Sequence, residues 1–399
     1  MRITVLAVGS RGDVVPYVGL GLRLEQAGHE VTVATHLLFE ETVVEHGLRY
    51  AALPLDTYEE LSQKGGIVAV NRSVAAQALP LGRAMADAAR SADVLLLTPA
   101  GWIGGHVAEG LRLPSLGVYL QPMTPTREFP PATVTTRSLG PWGNRRAARA
   151  VLELGQLPYR DPVRALRAEL GLPPVGHRTW LRHLDDWPIC YGYSPHVVPQ
   201  PADWPSSCTT VGYWWPAPTP SYTPPPALAD FLASGPPPVY VGFGSMPARD
   251  SRALSALVVE AVREAGVRAV LGAGWAGLDA SADDVLTVSE VPHEWLFPRT
   301  AVVVHHAGAG TTAAGLRAGV PAVPVPVMVD QPFWARRLVR LGVAPGAIPF
   351  RRLTAGRLAG ALTAAVGDPR YRNNARELAA KLAVEDGAGE VMRALKQLA

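Results

Sequence analysis

Cysteine is nearly absent from this chain, and its pattern indicates neither a metal site nor a disulfide framework. The 399 residues include two cysteines, Cys190 and Cys208, with no metal-ligand spacing around them. A disulfide between them stays open, but nothing in the sequence requires one, so a reduced, cytoplasmic protein is expected. Asp-x-Asp is also missing, which removes the usual pair of carboxylates for a metal-bound diphosphate, and no metal is expected.

Long hydrophobic runs and basic runs are lacking as well. Residues 1–9 form a short apolar stretch that Arg11 and Asp13 interrupt, too early for a signal peptide or a membrane span. No later stretch is long enough to cross a bilayer, so no stable membrane insertion is expected. The formal charge is +3, with arginines spread along the chain, and this distribution does not favour nucleic-acid binding. The oligomeric state is left open.

What the chain does have is a globular composition and a repeated strand–helix alternation. Hydrophobic residues make up 48% and charged residues 18%, which suits two buried cores in a chain of this length. Residues 2–8 predict a strand, residues 17–27 a helix, and a second strand starts at Val31, a βαβ unit that implies a parallel sheet. The alternation restarts at Val239, after a proline-rich stretch typical of a linker. The sequence therefore predicts two doubly wound α/β domains that face each other across a cleft.

A glycine-rich turn after an apolar run marks the second domain. Residues 302–312 read VVVHHAGAGTT, a predicted strand that feeds a turn and then a helix over 311–318. Such a turn binds phosphate, because glycines let the backbone approach and the first helical N–H groups point at the anion. His306 has three interpretations: a buried core histidine, a ring that donates to a phosphate oxygen, or a weakly supported metal ligand.

The first glycine turn does not fit a dinucleotide site. Gly9 and Gly12 supply half of the fingerprint, but the second strand ends at His36 without the carboxylate that would hold a ribose. Asp13 follows this turn and has two interpretations. It caps the next helix, or it lies in the cleft as a general base that accepts a proton from a hydroxyl.

A second polar pair follows the apolar run 321–329. Asp330 and Gln331 come where a strand is expected to end on the cleft side. They cap the following helix, or they recognise vicinal hydroxyls, since Asp accepts and Gln both donates and accepts. The acidic pairs at 185–186 and 283–284 are more typical of solvated turns than of a hydrolase dyad.

Several motifs in order resemble the family-1 inverting glycosyltransferases of GT-B architecture, which include glycopeptide, macrolide and sterol glucosyltransferases. The motifs are GSRGDVVPY at 9–17, VPHEWLF at 291–297, HHAGAGTT at 305–312, DQPFW at 330–334 and IPFRRLT at 348–354. The resemblance covers nearly the whole chain except about 55–80 and 121–160. It implies an acceptor-binding domain at 1–215, a linker at 216–237, a nucleotide-sugar domain at 238–375, and a C-terminal helix at 376–399 that crosses back to the first domain.

The resemblance also assigns roles to residues. It places Asp13 as the base on the acceptor hydroxyl and Val291 at the nucleobase. It places the donor diphosphate at Ser10, Arg11, Ser245, His306, Gly308, Gly310 and Thr311, and the donor sugar at Asp330 and Gln331. Plant members stack a tryptophan on the base where this chain has Glu290, so the choice between uridine and thymidine stays open.

The implied function is metal-independent, inverting transfer of a hexose from a UDP- or TDP-sugar, as co-substrate and without a cofactor, to a hydroxyl of a bulky lipophilic acceptor. Tyr119, Phe129 and Trp142 in and beside a proline-rich segment either bind such an acceptor or pack ordinarily. The alternatives are a nucleotide-sugar epimerase of the same architecture, a non-catalytic nucleotide-sugar-binding helper and, most remotely, an NAD-dependent oxidoreductase.

Overall fold

The structure is a computed structural model that describes residues 1–54, 67–215, 222–244, 250–274 and 276–398. Two α/β units follow one another along the chain. The first contains a seven-stranded sheet in the order β3-β2-β1-β4-β5-β6-β7, and the second a five-stranded sheet in the order β10-β9-β8-β11-β12. Every pairing between these strands is parallel. The predicted fold class, two doubly wound parallel-sheet domains, is confirmed.

The first unit is built from seven strands with helices between them. Its strands are β1 (Arg2–Leu6), β2 (Glu30–Thr35), β3 (Arg49–Ala52), β4 (Val94–Leu97), β5 (Ser115–Tyr119), β6 (Ile189–Tyr191) and β7 (Cys208–Thr210). Its helices are α1 (Arg11–Gln26), α2 (Glu40–Glu45), α3 (Ile67–Ala76), α4 (Ala78–Ala89), α5 (Gly104–Leu111), α6 (Gly140–Gln156), α7 (Arg160–Glu169) and α8 (His177–Asp185). The central strands are buried on both faces, as all-parallel sheets require.

The second unit repeats the alternation with five shorter strands. Its strands are β8 (Val239–Gly242), β9 (Ala269–Gly272), β10 (Val285–Val288), β11 (Val303–His305) and β12 (Ala322–Pro324). Its helices are α9 (Pro226–Ala233), α10 (Ser251–Glu264), α11 (His293–Leu296), α12 (Ala309–Arg317), α13 (Gln331–Arg340), α14 (Ala355–Gly367) and α15 (Pro369–Ala383). Val239, Val304 and Val323 belong to one apolar cluster with residues of α10 and α14.

Strand order places a crevice in each unit. In the first sheet, β2 and β3 lie on one side of β1, and the later strands from β4 onward lie on its other side. In the second sheet, β9 and β10 lie on one side of β8, and β11 and β12 on the other. The strand order therefore switches between β1 and β4, and between β8 and β11. Ligands of such sheets bind outside the carboxyl ends of the strands at this switch point. The turns after β1 and β11, which are the two glycine turns of the sequence, therefore lie where a ligand is expected.

The last helix returns to the first unit. Helix α16 (Gly387–Leu398) buries Ala388, Val391 and Leu395 in the same core cluster as residues of β1 and α1. The indole of Trp214 donates to the carbonyl oxygen of Gly387 at 3.3 Å. Both ends of the chain thus contribute to one core, although the predicted domain boundaries themselves stay predictions.

Two elements differ from the sequence expectation. Helix α1 begins at Arg11, not at residue 17, because Ser10 and Asp13 form a reciprocal cap that starts the helix early. Helix α9 lies inside the stretch 216–237 that the prolines predicted to be a linker, and Leu228 is buried in the second unit's core. A proline at the first helical position favours a helix start, so proline-rich composition misled the prediction for this part.

Across the described ranges, no helix combines the length and the apolar character needed to span a membrane. Within the same ranges, no group of three or more His, Cys, Asp or Glu side chains is arranged to hold a metal ion.

Candidate active site

Asp13 is held at the start of α1 by a capping box. Its Oδ2 accepts from the backbone N–H of Ser10 at 3.0 Å and from the Ser10 hydroxyl at 2.8 Å. Gly9 makes room for this carboxylate: its φ is +144°, and a Cβ there would lie 2.6 Å from the Cβ of Asp13. Both interpretations of Asp13 are thus compatible, because capping uses one oxygen and the other, Oδ1, remains for the cleft.

His36 orders the same turn, a role that the sequence reasoning missed. The backbone N–H of Gly9 donates to Nε2 of His36 at 3.0 Å, and this histidine is 2% exposed. The imidazole stands where a dinucleotide-binding protein would present its ribose carboxylate. A polar residue that ends β2 next to a glycine turn was the available signal for this contact.

His305 is the last residue of β11 and His306 follows it, and the two rings make different contacts. The Nδ1 atom of His305 accepts from the backbone N–H of Ala307 at 3.1 Å. Burial lowers the pKa of His305 to about 3, so the ring is neutral and serves the turn. Ala307 takes a left-handed φ of +62°, which bends the chain into the helix that follows.

His306 faces the glycine turn. Burial, with a smaller contribution from His293, lowers its pKa to about 4, so the free protein holds a neutral imidazole there. Its buried Nδ1 has no hydrogen-bond partner among the described residues. A neutral ring with an unused nitrogen can donate to an anionic oxygen or accept a proton, which are the properties that a leaving diphosphate requires.

Two glycines fit closely around the His306 ring. A Cβ at Gly308 would lie 2.5 Å from Nε2 of His306, and a Cβ at Gly244 would lie 2.8 Å from its Cε1. Gly244 also has a φ of +59°. These glycines are therefore required by the histidine, whereas Gly310 has open space around the position of a Cβ.

Helix α12 begins directly at this turn. Gly308 is its N-cap, and Thr311 lies half-buried in the first turn. The free N–H groups and the helix dipole favour an anion at this end. Helix α12 and helix α1 are in contact, so the two glycine turns open onto one cleft.

Asp330 is the second carboxylate of the cleft. Its Oδ2 accepts from the indole N–H of Trp334 at 2.8 Å. Burial and, to a smaller extent, the charge of Asp13 raise the pKa of Asp330 to about 6, although hydrogen bonds from Trp334 and Gln121 oppose the rise. Asp330 and Asp13, which belong to different domains, therefore lie close enough for their charges to interact.

Gln331 lies beside Asp330 but makes different contacts. Its side-chain oxygen accepts from the backbone N–H groups of Val327 at 2.8 Å and Met328 at 3.1 Å. The side chain is 8% exposed and holds the loop that carries Val329 in a left-handed conformation with φ +53°. Gln331 thus shapes the turn that presents Asp330, and its role toward a sugar stays a prediction.

Gln121 joins the two carboxylates and was not singled out from the sequence. It follows β5 in the first unit, and its amide nitrogen donates to Oδ1 of Asp13 at 3.3 Å. It also hydrogen-bonds the Asp330 carboxylate. An amide carries two N–H donors, one for each acid. The signal for it was weak, a single polar residue between a buried strand and a proline-rich segment.

The other predicted residues fall at the rim of this cleft or outside the described ranges. Arg11 is exposed at the start of α1. Burial of His293 and, to a smaller extent, the charge of Arg11 lower the pKa of His293 to about 4. His293 stacks on Phe297 with ring centroids 4.3 Å apart. Val291 is half-buried two residues earlier and packs against the same core. Ser245 lies outside the described residues.

The three aromatic residues proposed for the acceptor separate in the structure. Tyr119 is buried in the core, and Trp142 is 66% exposed with the guanidinium of Arg127 over its ring at 4.4 Å. Phe129 packs against Phe333 of the second unit, with ring centroids 5.4 Å apart. Phe129 thus contacts the second unit directly through Phe333.

Two family models match the chain, one on each unit. The glycosyltransferase family 28 N-terminal domain matches residues 3–130. The erythromycin biosynthesis protein CIII-like C-terminal domain matches residues 270–398.

Curated relatives match over nearly the whole chain. A sterol 3-beta-glucosyltransferase of Arabidopsis thaliana is 35% identical, over 100% of this chain and 66% of its own length. The O-mycaminosyltylonolide 6-deoxyallosyltransferase of Streptomyces fradiae is 36% identical, over 97% of this chain and 95% of its own length. The chain thus spans about two thirds of the plant relative and nearly all of the bacterial one.

Solved structures share the architecture. The glycosyltransferase VinC, solved with dTDP, superposes with a TM-score of 0.72 at 19% identity, over 100% of this chain and 99% of that one. At this identity the likeness shows the fold alone.

Proposed function

Because the chain belongs to the family-1 glycosyltransferases of GT-B fold, we propose that it transfers a hexose from a UDP- or TDP-sugar to a hydroxyl of a lipophilic acceptor. The observation that carries this proposal is the meeting of Asp13 from one domain with the His306 turn and Asp330 from the other. A base and a diphosphate site on opposite walls are what an in-line displacement needs.

The proposed reaction divides between the walls. Asp13, with Oδ1 toward the cleft, takes the proton of the acceptor hydroxyl while that oxygen attacks the anomeric carbon. The bond from this carbon to the donor's diphosphate oxygen breaks, and the attack from the opposite face inverts the anomeric configuration. His306 and the first N–H groups of α12 stabilise the charge that develops on the departing nucleoside diphosphate. No metal ion takes part in this scheme.

Asp330 is proposed to hold hydroxyls of the donor sugar, with its loop shaped by Gln331. Its remaining acceptor capacity suits vicinal hydroxyls when the carboxylate is ionised. Arg11, Ser10, Thr311, Gly310 and Ser245 are proposed to surround the diphosphate, and Val291 to meet the nucleobase. A sterol-like or macrolide acceptor is proposed from the relatives, which are a sterol 3-beta-glucosyltransferase and a tylonolide glycosyltransferase. The cytoplasmic compartment and the absence of a cofactor also stay predictions.

The test is an acceptor panel with UDP-glucose and TDP-hexoses, followed by mass spectrometry and by NMR of the new anomeric proton. We expect transfer with inversion that survives a chelator. Asp13→Asn keeps the capping oxygen but removes the base, so the transfer rate should fall about 10²–10⁴-fold while the nucleotide affinity stays within a few-fold. Full transfer by this variant would exclude Asp13 as the base.

The same assay separates the alternatives. An epimerase changes the donor sugar without any acceptor, whereas a transferase leaves it intact apart from slow hydrolysis. A helper protein binds nucleotide sugar saturably but shows no turnover with any acceptor.

A further inference from the structure

A pocket of about 150 Å³ lies at the domain boundary, separate from the two carboxylates. One wall is the segment that carries Glu128 and Phe129, and the other is helix α13 with Arg336, Arg337 and Arg340. Arg340 comes ten residues after Asp330, which is about 15 Å along a helix axis. The pocket therefore extends along α13 from Phe333 to Arg340, away from Asp330.

The arginines of this pocket are not neutralised by acids. None of the three forms an ion pair within 4.0 Å with a carboxylate of the described residues. Arg336 and Arg337 donate instead to neutral carbonyl oxygens, those of Thr136 and, at 2.8 Å, Val197. The side chain of Arg340 is exposed and has no hydrogen-bond partner among the described residues.

One acid, Glu128, also lines the pocket and offsets only part of this charge. The Oε1 atom of Glu128 accepts from the backbone N–H of Ala202 at 2.8 Å, so it is directed to its own domain. Burial and the neighbouring Arg340 both lower the pKa of Arg337, while Glu128 is among the groups that oppose this shift. Arg337 is half-buried, whereas Arg336 and Arg340 are exposed. Three guanidinium groups against one carboxylate leave an excess of positive charge, which favours an anion where the space is shielded from water.

A purely structural role explains only part of this arrangement. Arg337 and Arg340 lie in the last turn of α13, where cations interact favourably with the helix dipole. Arg336 and Arg337 also link the domains through the two carbonyls. Neither role requires the cavity that these arginines form with the apolar wall of Phe129 and Phe333.

We propose that this pocket binds the carboxylate or phosphate group of a small molecule whose apolar part packs on Phe129 and Phe333. Arginine forks bind both groups in bidentate geometry. Since the walls belong to different domains, the bound anion stabilises their closed arrangement. Two sources share this chemistry, a free anionic effector and an anionic end of the acceptor itself.

The binding test uses inorganic phosphate as the probe, in calorimetric titrations of the full chain with the donor site saturated by UDP or TDP. Arg340→Gln should lower the phosphate affinity about tenfold or more, the loss of one charge-assisted contact. Arg340→Lys should retain part of it, because the charge stays and the fork is lost. Arg72→Gln is the matched control, an exposed helical arginine outside the pocket, and should bind as the wild type does. No binding, or equal affinity in the Arg340→Gln and Arg72→Gln variants, would overturn the proposal.

Kinetics then separate the two sources. With an anionic acceptor as the source, Arg340→Gln raises KM for carboxylate-bearing acceptors and leaves neutral ones unchanged. With a free effector, phosphate alters the rate with neutral acceptors in the wild type but not in Arg340→Gln. A variant that changes neither overturns a role of the pocket in the reaction. Phosphate binding needs no turnover, so failure of the transferase proposal would be seen separately.

Discussion

Gly308 and Gly310 are two residues apart in the same turn, yet their surroundings differ. A Cβ at Gly308 would meet the His306 ring at 2.5 Å, while nothing lies within 4 Å of one at Gly310. The ring can avoid the new methyl only by moving away from the place where it would contact a diphosphate. Close packing rather than backbone freedom therefore fixes the first of these glycines.

We expect Gly308→Ala to weaken nucleotide binding about tenfold or more, because a displaced His306 loses its charge-assisted contact. Gly315→Ala is the matched control, since a Cβ at this position of α12 would also meet nothing within 4 Å, and it should bind within about twofold, with a slightly more stable helix. Calorimetric titration with UDP and TDP measures both variants. Equal losses in the two would show that the turn does not act through His306.

The pKa of Asp330 makes donor binding depend on pH. Burial and Asp13 raise this pKa to about 6, so the carboxylate is ionised above that pH and becomes protonated below it. We expect the affinity for a nucleotide sugar to fall as the pH drops through about 6, and Asp330→Asn to remove this dependence. UDP lacks the sugar but has a terminal phosphate that itself titrates at about pH 6, so its binding should change equally in the wild type and in Asp330→Asn between pH 5 and pH 7.

The raised pKa of Asp330 also makes the free energy of unfolding depend on pH, in the direction opposite to that of a salt-bridged acid. A carboxylate whose pKa is raised in the folded state binds its proton more tightly there than in the unfolded chain. Its stabilising contribution is present below the unfolded pKa, near 4, and is lost as the pH rises through about 6. Denaturant unfolding of Asp330→Asn should show a flatter pH dependence across this window.

The last helix, α16, completes the hydrophobic core of the first domain. Leu395 of α16 is 1% exposed and belongs to the core built on β1 and α1. Leu395→Ala leaves a cavity in that core, and such changes cost about 2–5 kcal/mol.

We expect the free energy of unfolding of Leu395→Ala to fall by this amount in urea titrations. Val384→Ala is the control, since this valine is 85% exposed just before α16, and should change stability by less than about 0.5 kcal/mol. A near-neutral Leu395→Ala would mean that the first domain holds without its returning helix.

Gln121 links the two domains of the molecule through the carboxylates of Asp13 and Asp330. Asp13 raises the pKa of Asp330, whereas the hydrogen bond from Gln121 lowers it. Gln121 therefore reduces the repulsion between the two carboxylates where the domains meet. Gln121→Leu keeps the volume and removes both donors. The pH below which the affinity for the nucleotide sugar falls should then be higher than in the wild type. The transfer rate should fall about tenfold or more.

The control for this variant is Gln26→Leu, at an exposed position of α1, which should change neither quantity. A fall in rate without the upward pH shift would assign Gln121 a merely structural role. The shift is informative because general loosening of the fold would lower, not raise, the pKa of a carboxyl that burial keeps high.

Strand–helix alternation and glycine turns are local patterns, so the sequence alone predicted the two α/β units and the two glycine turns. It also singled out Asp13, His306 and Asp330, whose roles stay predictions. It misjudged the start of α1 and the helix inside the proline-rich stretch, where side-chain capping and core packing overrode composition. The fit of Gly308 against the His306 ring is a local contact, but it depends on how the folded chain orients that buried ring. The contacts of His36 with Gly9 and of Gln121 with Asp13 and Asp330 join residues between 27 and more than 200 positions apart. They emerge only in the folded chain, because no local pattern encodes which distant side chains the sheets bring together.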